Sequence, residues 1–345
     1  MELEVTLDTQ QSLVESFSTL VYKNTPLAHF KKQFAIACRD CSTDSEIKPT
    51  LLKDIQRSFR AVINYLNTKI YRSNLDTEQQ KALGEWAHQE FIAFVLLGTW
   101  PSRSFRKPQD IAGDHHTIKQ IYANGNQERR AIGHVVNHCF FEEPACKAVV
   151  NRKNYIIEEV RQLLNANQGQ DLHVTSVACG PAEELFSVYE QLADADKKQL
   201  KATGLDLDLR ACSYVEDKAK QQRLRGHFRV HHADILKPHT YPSFLEPQDL
   251  VYSMGLTDYF SDRLCVKTLN NIYDILKPGG EVIVGNFHAR CPSRVFLDYM
   301  LDWPLIYRTE EDMERIFAAS KFGESQVYVD YEEERVNMLV RCKKR

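Results

Sequence analysis

The sequence of 345 residues lacks long apolar runs and lacks an excess of basic charge. The longest apolar run, residues 91–97, is far shorter than the roughly 20 residues that a membrane-spanning helix needs. The net charge of −3 provides no basic field of the kind that neutralises nucleic-acid phosphates. We therefore predict no membrane span and no nucleic-acid partner, and a small-molecule substrate fits the composition better.

The chain also lacks a cysteine framework, because its nine cysteines are an odd number without regular spacing. The first residues lack the basic start and apolar core of a signal peptide, so we expect a reduced protein in the cytoplasm. Cys38 and Cys41 have metal-ligand spacing, and His134 and His138 lie four apart, but neither pair has the further ligands of a tetrahedral site. We predict no metal. The sequence gives no oligomeric state.

The pattern of apolar residues changes once along the chain. Residues 1–165 show helical spacing, as in Ile55, Phe59, Ile63 and Leu66, and residues 99–114, with two prolines and a glycine, predict a loop. Residues 166–345 alternate short apolar runs with helical stretches, which predicts an α/β fold with a parallel, Rossmann-like sheet. The predicted strands are 172–178, 202–206, 228–232, 250–254 and 281–287, followed by an antiparallel hairpin of 326–329 and 337–342.

Few glycines follow the first predicted strand. Its turn has Gly180, with Ala178 and Ala182 at the two places where a dinucleotide-binding turn has further glycines. This shortage argues against NAD, because less backbone is free to surround two phosphates. A nucleoside cofactor without phosphate, such as S-adenosylmethionine, is tolerated more easily.

Acidic residues follow the next two predicted strands. Asp206 ends the second strand, where a carboxylate can accept hydrogen bonds from ribose hydroxyls, and Asp208 is an alternative. Asp234 follows the third strand and can accept from an adenine amino group. An aspartate at a strand end is as often a helix cap. An Asp206 carboxylate turned inward and bonded to neighbouring backbone would argue against the ribose role.

From residue 171 onward these motifs, in this order, resemble the class I S-adenosylmethionine-dependent methyltransferases. The resemblance implies a seven-stranded sheet with a reversed final strand and a cofactor at its carboxyl edge. Ser176 stands where the family usually has an acid, so contacts to the methionine amine would come from Glu184 or Ser253 instead. The implied cofactor-binding residues are Ala178, Gly180, Pro181, Ala182, Asp206, Leu207, Asp234, Ile235, Ser253 and Gly255.

The segments 107–115, 121–122, 144–152, 179–182, 251–263, 285–287 and 302–308 carry a narrower resemblance, which covers most of the chain. It is to the bacterial methyltransferase group of 3-hydroxypalmitic acid methyl ester biosynthesis, and it implies small-molecule biosynthesis by methylation of a hydroxy fatty acid or similar acid, with the helical region as lid and substrate pocket. His115 and Ile111 depart from the residues usual in that group, which leaves acyl specificity open.

Methylation of a carboxylate needs an oriented nucleophile rather than a base, because the carboxylate is already anionic at neutral pH. An amine or phenol acceptor would instead need a base such as His115, His288 or Asp258. An O- or N-methyltransferase of another natural product and a non-catalytic S-adenosylmethionine-binding protein stay open, and an NAD-linked reductase is the weakest alternative. The candidate catalytic residues are His115, Tyr259, His288 and Tyr307, and the candidate substrate-binding residues are Asp114, Tyr122, Arg294 and Arg308.

Overall fold

The computed structural model describes residues 26–40, 47–123, 128, 130–194, 196–242 and 245–345, so Cys41 lies outside the described residues. The chain divides into two compact units. The first comprises the described residues up to Lys147 together with Pro292–Pro304, and the second comprises Ala148–Cys291 and Leu305–Arg345. The predicted domain boundary after residue 165 stays a prediction. The first compact unit ends earlier, at Lys147, and also includes the later segment Pro292–Pro304.

The first unit is helical, as its apolar spacing predicts. Phe59 lies at the centre of an aromatic cluster, with ring centroids 5.5 Å from Phe30, 5.4 Å from Phe94 and 5.3 Å from Phe140. Burial of these rings supplies most of the driving force for packing the helices. The helices are α1 (Pro26–Asp40), α2 (Pro49–Tyr71), α3 (Thr77–Val95), α4 (Thr99–Arg106), α5 (His115–Ala123) and α6 (Ala131–Phe141), and α7 (Pro144–Ala166) continues into the second unit.

Helix α4 corrects the predicted loop over residues 99–114. Pro101 is the third residue of α4, where the missing backbone N–H has no partner within the helix in any case. The helix ends where Lys107 adopts a left-handed conformation, with φ of 46°. Only the part after Lys107 is irregular, so Pro101 lies in the first turn of a helix, whereas Pro108 lies in the loop between α4 and α5.

Within the described residues, the second unit contains one seven-stranded sheet in the order β3-β2-β1-β4-β5-β7-β6. Strands β1 to β5 pair in parallel, and β7 runs antiparallel to both β5 and β6. The predicted parallel sheet, reversed strand and terminal hairpin are confirmed. The strands are β1 (Leu172–Val177), β2 (Leu200–Asp206), β3 (Phe228–His232), β4 (Gln248–Ser253), β5 (Leu276–Phe287), β6 (Val327–Tyr331) and β7 (Asn337–Lys343).

Helices cover both faces of this sheet. Successive strand residues point to opposite faces, so Ile283 packs in one core while Val282 and Val284 pack in the other. The first core includes side chains from α7, α8 (Glu183–Gln191) and α9 (Leu209–Gln221), and the second includes side chains from α10 (Asp262–Ile275) and α11 (Glu310–Ala318). This three-layer arrangement confirms the predicted Rossmann-like class and leaves the carboxyl edge of the strands open to loops.

Candidate functional site

The turn after β1 has an unusual backbone. Ala178, Gly180 and Ala182 have positive φ values of 52°, 51° and 50°. This conformation is free for glycine but costs about 1–2 kcal/mol for a residue with a Cβ. A Cβ on Gly180 would meet nothing within 4 Å, so open space lies beside the turn. Strain of this kind is concentrated at ligand sites, which supports the prediction that a ligand approaches this backbone.

Asp206 ties the end of β2 to that turn. One carboxylate oxygen accepts from the Gly180 amide at 2.8 Å, and the other accepts from the Asp208 amide at 2.8 Å. Burial raises the pKa of Asp206, against the lowering effect of these amides. Such backbone bonding is the arrangement that we expected to argue against the ribose role. Each oxygen nevertheless keeps a second lone pair, and the side chain is only partly buried, so the role stays a prediction.

The two other acidic residues are engaged locally. Asp208 accepts from the Arg210 amide at 3.0 Å and caps the N-terminus of α9. It is therefore a helix cap, the other common role of an aspartate at the end of a strand. Asp234 accepts from the Leu236 amide at 2.9 Å. Leu207, between Asp206 and Asp208 in the chain, is 64% exposed, so an apolar side chain is accessible next to the predicted ribose position. Ile235 is buried in the core.

Glu184 lies buried at the beginning of α8, close behind the turn. Its Oε1 accepts from the Tyr252 hydroxyl at 2.8 Å, and Ser176 Oγ lies at 3.5 Å. Burial raises the pKa of Glu184. Ser253, the other candidate for the methionine amine, is buried and donates to the Val177 carbonyl at 2.8 Å. Of the two, Glu184 is therefore the better candidate, because Ser253 serves to join β1 and β4.

An arginine that the sequence did not single out as a site residue lies at the ends of β4 and β5. Arg152, on α7, is 6% exposed, and its Nη2 lies 3.0 Å from where a Cβ on Gly255 would be. Asp258, in the same region, accepts from the Phe287 amide at 2.7 Å, and burial raises its pKa to about 6 against the influence of Arg152 and Arg308. A helical sequence pattern does not show that a charged residue points inward.

Arg308, a predicted substrate-binding residue, is a structural residue. It is 2% exposed and donates to the carbonyls of Thr257 and Phe260, to Asn286 Oδ1 and twice to Asp262 Oδ1, at 2.5–3.1 Å. A guanidinium has five N–H donors, and these contacts use five. Arg308 therefore holds the loop after β4 against β5 and has no donor left for a substrate.

His288, a predicted catalytic residue, is engaged at both ring nitrogens. Its Nδ1 accepts from the Arg290 amide at 2.9 Å, and its Nε2 lies 2.9 Å from a carboxylate oxygen of Glu310. Hydrogen bonds from Tyr331 and His288 lower the pKa of Glu310 to about 2. The structure thus argues against His288 as a general base. Tyr259 is 45% exposed and Tyr307 is half-buried, so both stay candidates.

The remaining candidates belong to the first unit. Asp114 is buried, accepts from the Thr117 amide at 2.8 Å and from Arg103 at 2.6 Å, and so caps α5 rather than contacting substrate. The Arg294 guanidinium lies 3.9 Å from the centre of the Tyr71 ring. His115 is buried at the beginning of α5, and Tyr122 is half-buried on the same helix.

The structure also bears on metal and membrane. Among the residues that the structure describes, no group of three or more histidine, cysteine, aspartate or glutamate side chains is placed to hold a metal ion. No helix in the described ranges combines the length and the hydropathy of a membrane span.

Comparison with known families identifies the chemistry. Residues 174–280, which contain the turn, Asp206, Asp234 and Gly255, match the model of the methyltransferase domain family. No curated protein matches the chain. The family match, with the strand order of the sheet, confirms the predicted methyltransferase and supports S-adenosylmethionine as its cofactor.

Several solved structures are similar to this chain at low sequence identity. A protein from Bordetella parapertussis described as a possible exported protein is 17% identical, with a TM-score of 0.53 over 84% of this chain and 96% of its own. Magnesium protoporphyrin IX methyltransferase from Synechocystis PCC 6803, with bound S-adenosylhomocysteine, is 12% identical over 66% and 92%, with a TM-score of 0.47. The CurJ carbon methyltransferase is 10% identical over 99% and 97%, with a TM-score of 0.49.

Proposed function

We propose that this S-adenosylmethionine-dependent methyltransferase methylates the carboxylate of a hydroxy fatty acid or similar small acid. The observation that carries the proposal is the state of the candidate bases in the second unit. His288 is bonded at both nitrogens, and the Asp258 side chain is only 2% exposed, which limits the access of an acceptor to its carboxylate. An amine or phenol acceptor would need a base to remove its proton, whereas a carboxylate needs none.

The residues at the sheet edge fit the cofactor. The strained turn at Ala178 and Gly180 exposes backbone beside open space, and Asp206 retains lone pairs for ribose hydroxyls. Glu184 is the candidate partner for the methionine ammonium group, and the exposed Leu207 is an apolar contact for the adenine ring. When bound, S-adenosylmethionine supplies an electrophilic methyl group, and the protein has to hold the acceptor in line with it.

Transfer of labelled methyl from S-adenosylmethionine tests this proposal. The purified protein is incubated with a 3-hydroxy fatty acid, its amide and a phenol of similar size, and the products are separated. We expect label only in the acid, as its methyl ester, at a rate nearly constant from pH 6.5 to 9, because a carboxylate has a pKa of about 4. Label in the phenol, or a rate that rises with pH, would contradict the carboxylate acceptor.

A non-catalytic S-adenosylmethionine-binding protein is the second candidate. The observation in its favour is that both Asp206 oxygens already accept backbone amides, which weakens the predicted grip on the ribose. The same incubation separates the two, since a binding protein retains S-adenosylmethionine but transfers no label to any acceptor. The cytoplasmic location and the role in small-molecule biosynthesis stay predictions.

A further inference from the structure

We propose that Arg152 binds a ligand carboxylate at the carboxyl edge of the sheet. The proposal rests on the proposed function for the presence of such ligands, but its observations are independent of that function. Arg152 belongs to α7, the helix that precedes β1, and reaches the loop that follows β4.

The first observation is a buried charge that forms no ion pair among the described residues, although the Asp258 carboxylate lies near enough to interact with it electrostatically. Arg152 is 6% exposed, and among the described residues no carboxylate forms an ion pair with it. Its Nε is fully buried with no hydrogen-bond partner in the described part of the chain. A buried charge is costly unless it is paired, so the protein alone leaves the guanidinium incompletely satisfied.

The second observation is where the guanidinium lies. With the Asn337 side-chain amide in its better-bonded orientation, the amide oxygen accepts from Arg152 Nη1 at 3.3 Å. Asn337 begins β7 and pairs with Phe287, the last residue of β5. On the other side, Nη2 lies 3.0 Å from the position of a Cβ on Gly255, two residues after β4. The group is thus held between the ends of β4, β5 and β7.

The chemistry selects an anion, and specifically a planar one. A guanidinium has no acceptor and keeps its charge at all accessible pH values, so it cannot bind an ammonium group or act as a base. Its fork of N–H donors matches the two oxygens of a carboxylate. The absence of a side chain at Gly255 leaves room for the guanidinium, since a Cβ there would lie 3.0 Å from Nη2.

Two ligands of the proposed reaction carry a carboxylate. One is the amino-acid end of the cofactor, for which Glu184 would hold the ammonium group while Arg152 holds the carboxylate. The other is the acid that receives the methyl group. Both offer the same chemistry to Arg152, and matched ligands with and without the carboxylate distinguish them.

The experiment measures the affinities of matched ligands for the full chain by calorimetry. S-adenosylhomocysteine is compared with methylthioadenosine, which lacks the amino-acid end, and 3-hydroxydecanoate is compared with its methyl ester. The proteins are the wild type, Arg152→Met and Arg152→Lys. Arg341→Met is the control, because Arg341 lies in the same unit but is paired with Glu159 and Glu281 at 2.8 Å.

We expect Arg152→Met to weaken one carboxylate ligand by roughly 10- to 100-fold and to leave its uncharged counterpart unchanged, as for the loss of a charged hydrogen bond. A selective loss for S-adenosylhomocysteine identifies the cofactor as the source, and a selective loss for the hydroxy acid identifies the acceptor. Unchanged affinity for both acids, or equal losses for charged and uncharged ligands, would overturn the proposal.

Arg152→Lys keeps the charge without the fork, so it should lose part of the affinity and show the same selectivity. If Arg152→Met does not fold, this variant decides by the same criteria. If the wild-type protein does not bind S-adenosylhomocysteine, the proposed function is refuted. The role of Arg152 is then decided by the affinities of 3-hydroxydecanoate and its methyl ester for wild type and Arg152→Met. Failure of both acids to bind wild type overturns both proposals.

Discussion

Replacing Arg308 by methionine tests whether this arginine supports the fold or binds substrate. Methionine keeps an unbranched apolar side chain but removes all five donors. Arg308 Nη1 donates a hydrogen bond to the buried oxygen Asn286 Oδ1. Arg308→Met leaves that oxygen without this donor, which should lower the stability of the region by about 1–3 kcal/mol. The Thr257 carbonyl still accepts from the Phe260 amide at 3.1 Å, so losing the arginine there costs about 0.5–1.5 kcal/mol.

The contact with Asp262 adds little, because the Asp262 side chain is 56% exposed. Including the Phe260 carbonyl, we expect a total loss of about 3 kcal/mol in the free energy of opening this region. Hydrogen exchange of peptides from β5 and from residues 257–262 measures it. Arg315→Met is the matched control, since Arg315 is 64% exposed, and it should stay within about 0.5 kcal/mol of wild type. Unchanged exchange in Arg308→Met, with a selective loss of acceptor affinity, would refute our interpretation and restore the substrate role.

Two further predictions concern the first unit, which contains all three tryptophans and is therefore monitored by their fluorescence. Burial raises the pKa of Glu143 to about 7, so protonated Glu143 contributes to the free energy of unfolding below about pH 4.5, and this contribution is lost as pH rises through 7. Glu143→Gln should flatten the resulting fall in the free energy of unfolding, which amounts to up to about 3 kcal/mol. An unchanged pH profile would contradict the raised pKa. A Cβ on Gly84 would lie 2.0 Å from the Tyr299 ring, so Gly84→Ala should cost about 1–3 kcal/mol in urea unfolding. Lys81→Ala, exposed on the same helix, should stay within about 0.5 kcal/mol of wild type, and equal values for the two variants would show that the ring gives way freely.

The sheet could be predicted because its strands are short, apolar and separated by clear turns. The predicted strand 228–232 has the bounds of β3, and the alternation in the last 20 residues is sufficient for the terminal hairpin. The sequence does not predict helix α4, because prolines within a segment are typical of loops, although a proline in a first turn removes no hydrogen bond within the helix. Local composition does not show on which side of a helix boundary a proline lies.

The residues of the site could be predicted only where the backbone determines them. Gly180 and its alanine neighbours follow from the demands of a strand-to-helix turn. The roles of the arginines depend instead on which side chains meet in space. Arg308 lies outside the helices, yet its five N–H donors all bond to groups of the protein. Arg152 lies on a helix and is buried, and it forms no ion pair among the described residues. Neither fact is encoded in spacing along the chain.

The central claim is that S-adenosylmethionine binds over the turn at Gly180 with its ribose on Asp206. Calorimetric titration of S-adenosylhomocysteine into wild type and Asp206→Ala tests it most directly. We predict saturable one-to-one binding by the wild type and at least a tenfold weaker affinity in the variant, as for the loss of charged hydrogen bonds worth about 1.5–3 kcal/mol. No binding by the wild type, or the same affinity in both proteins, would contradict the claim.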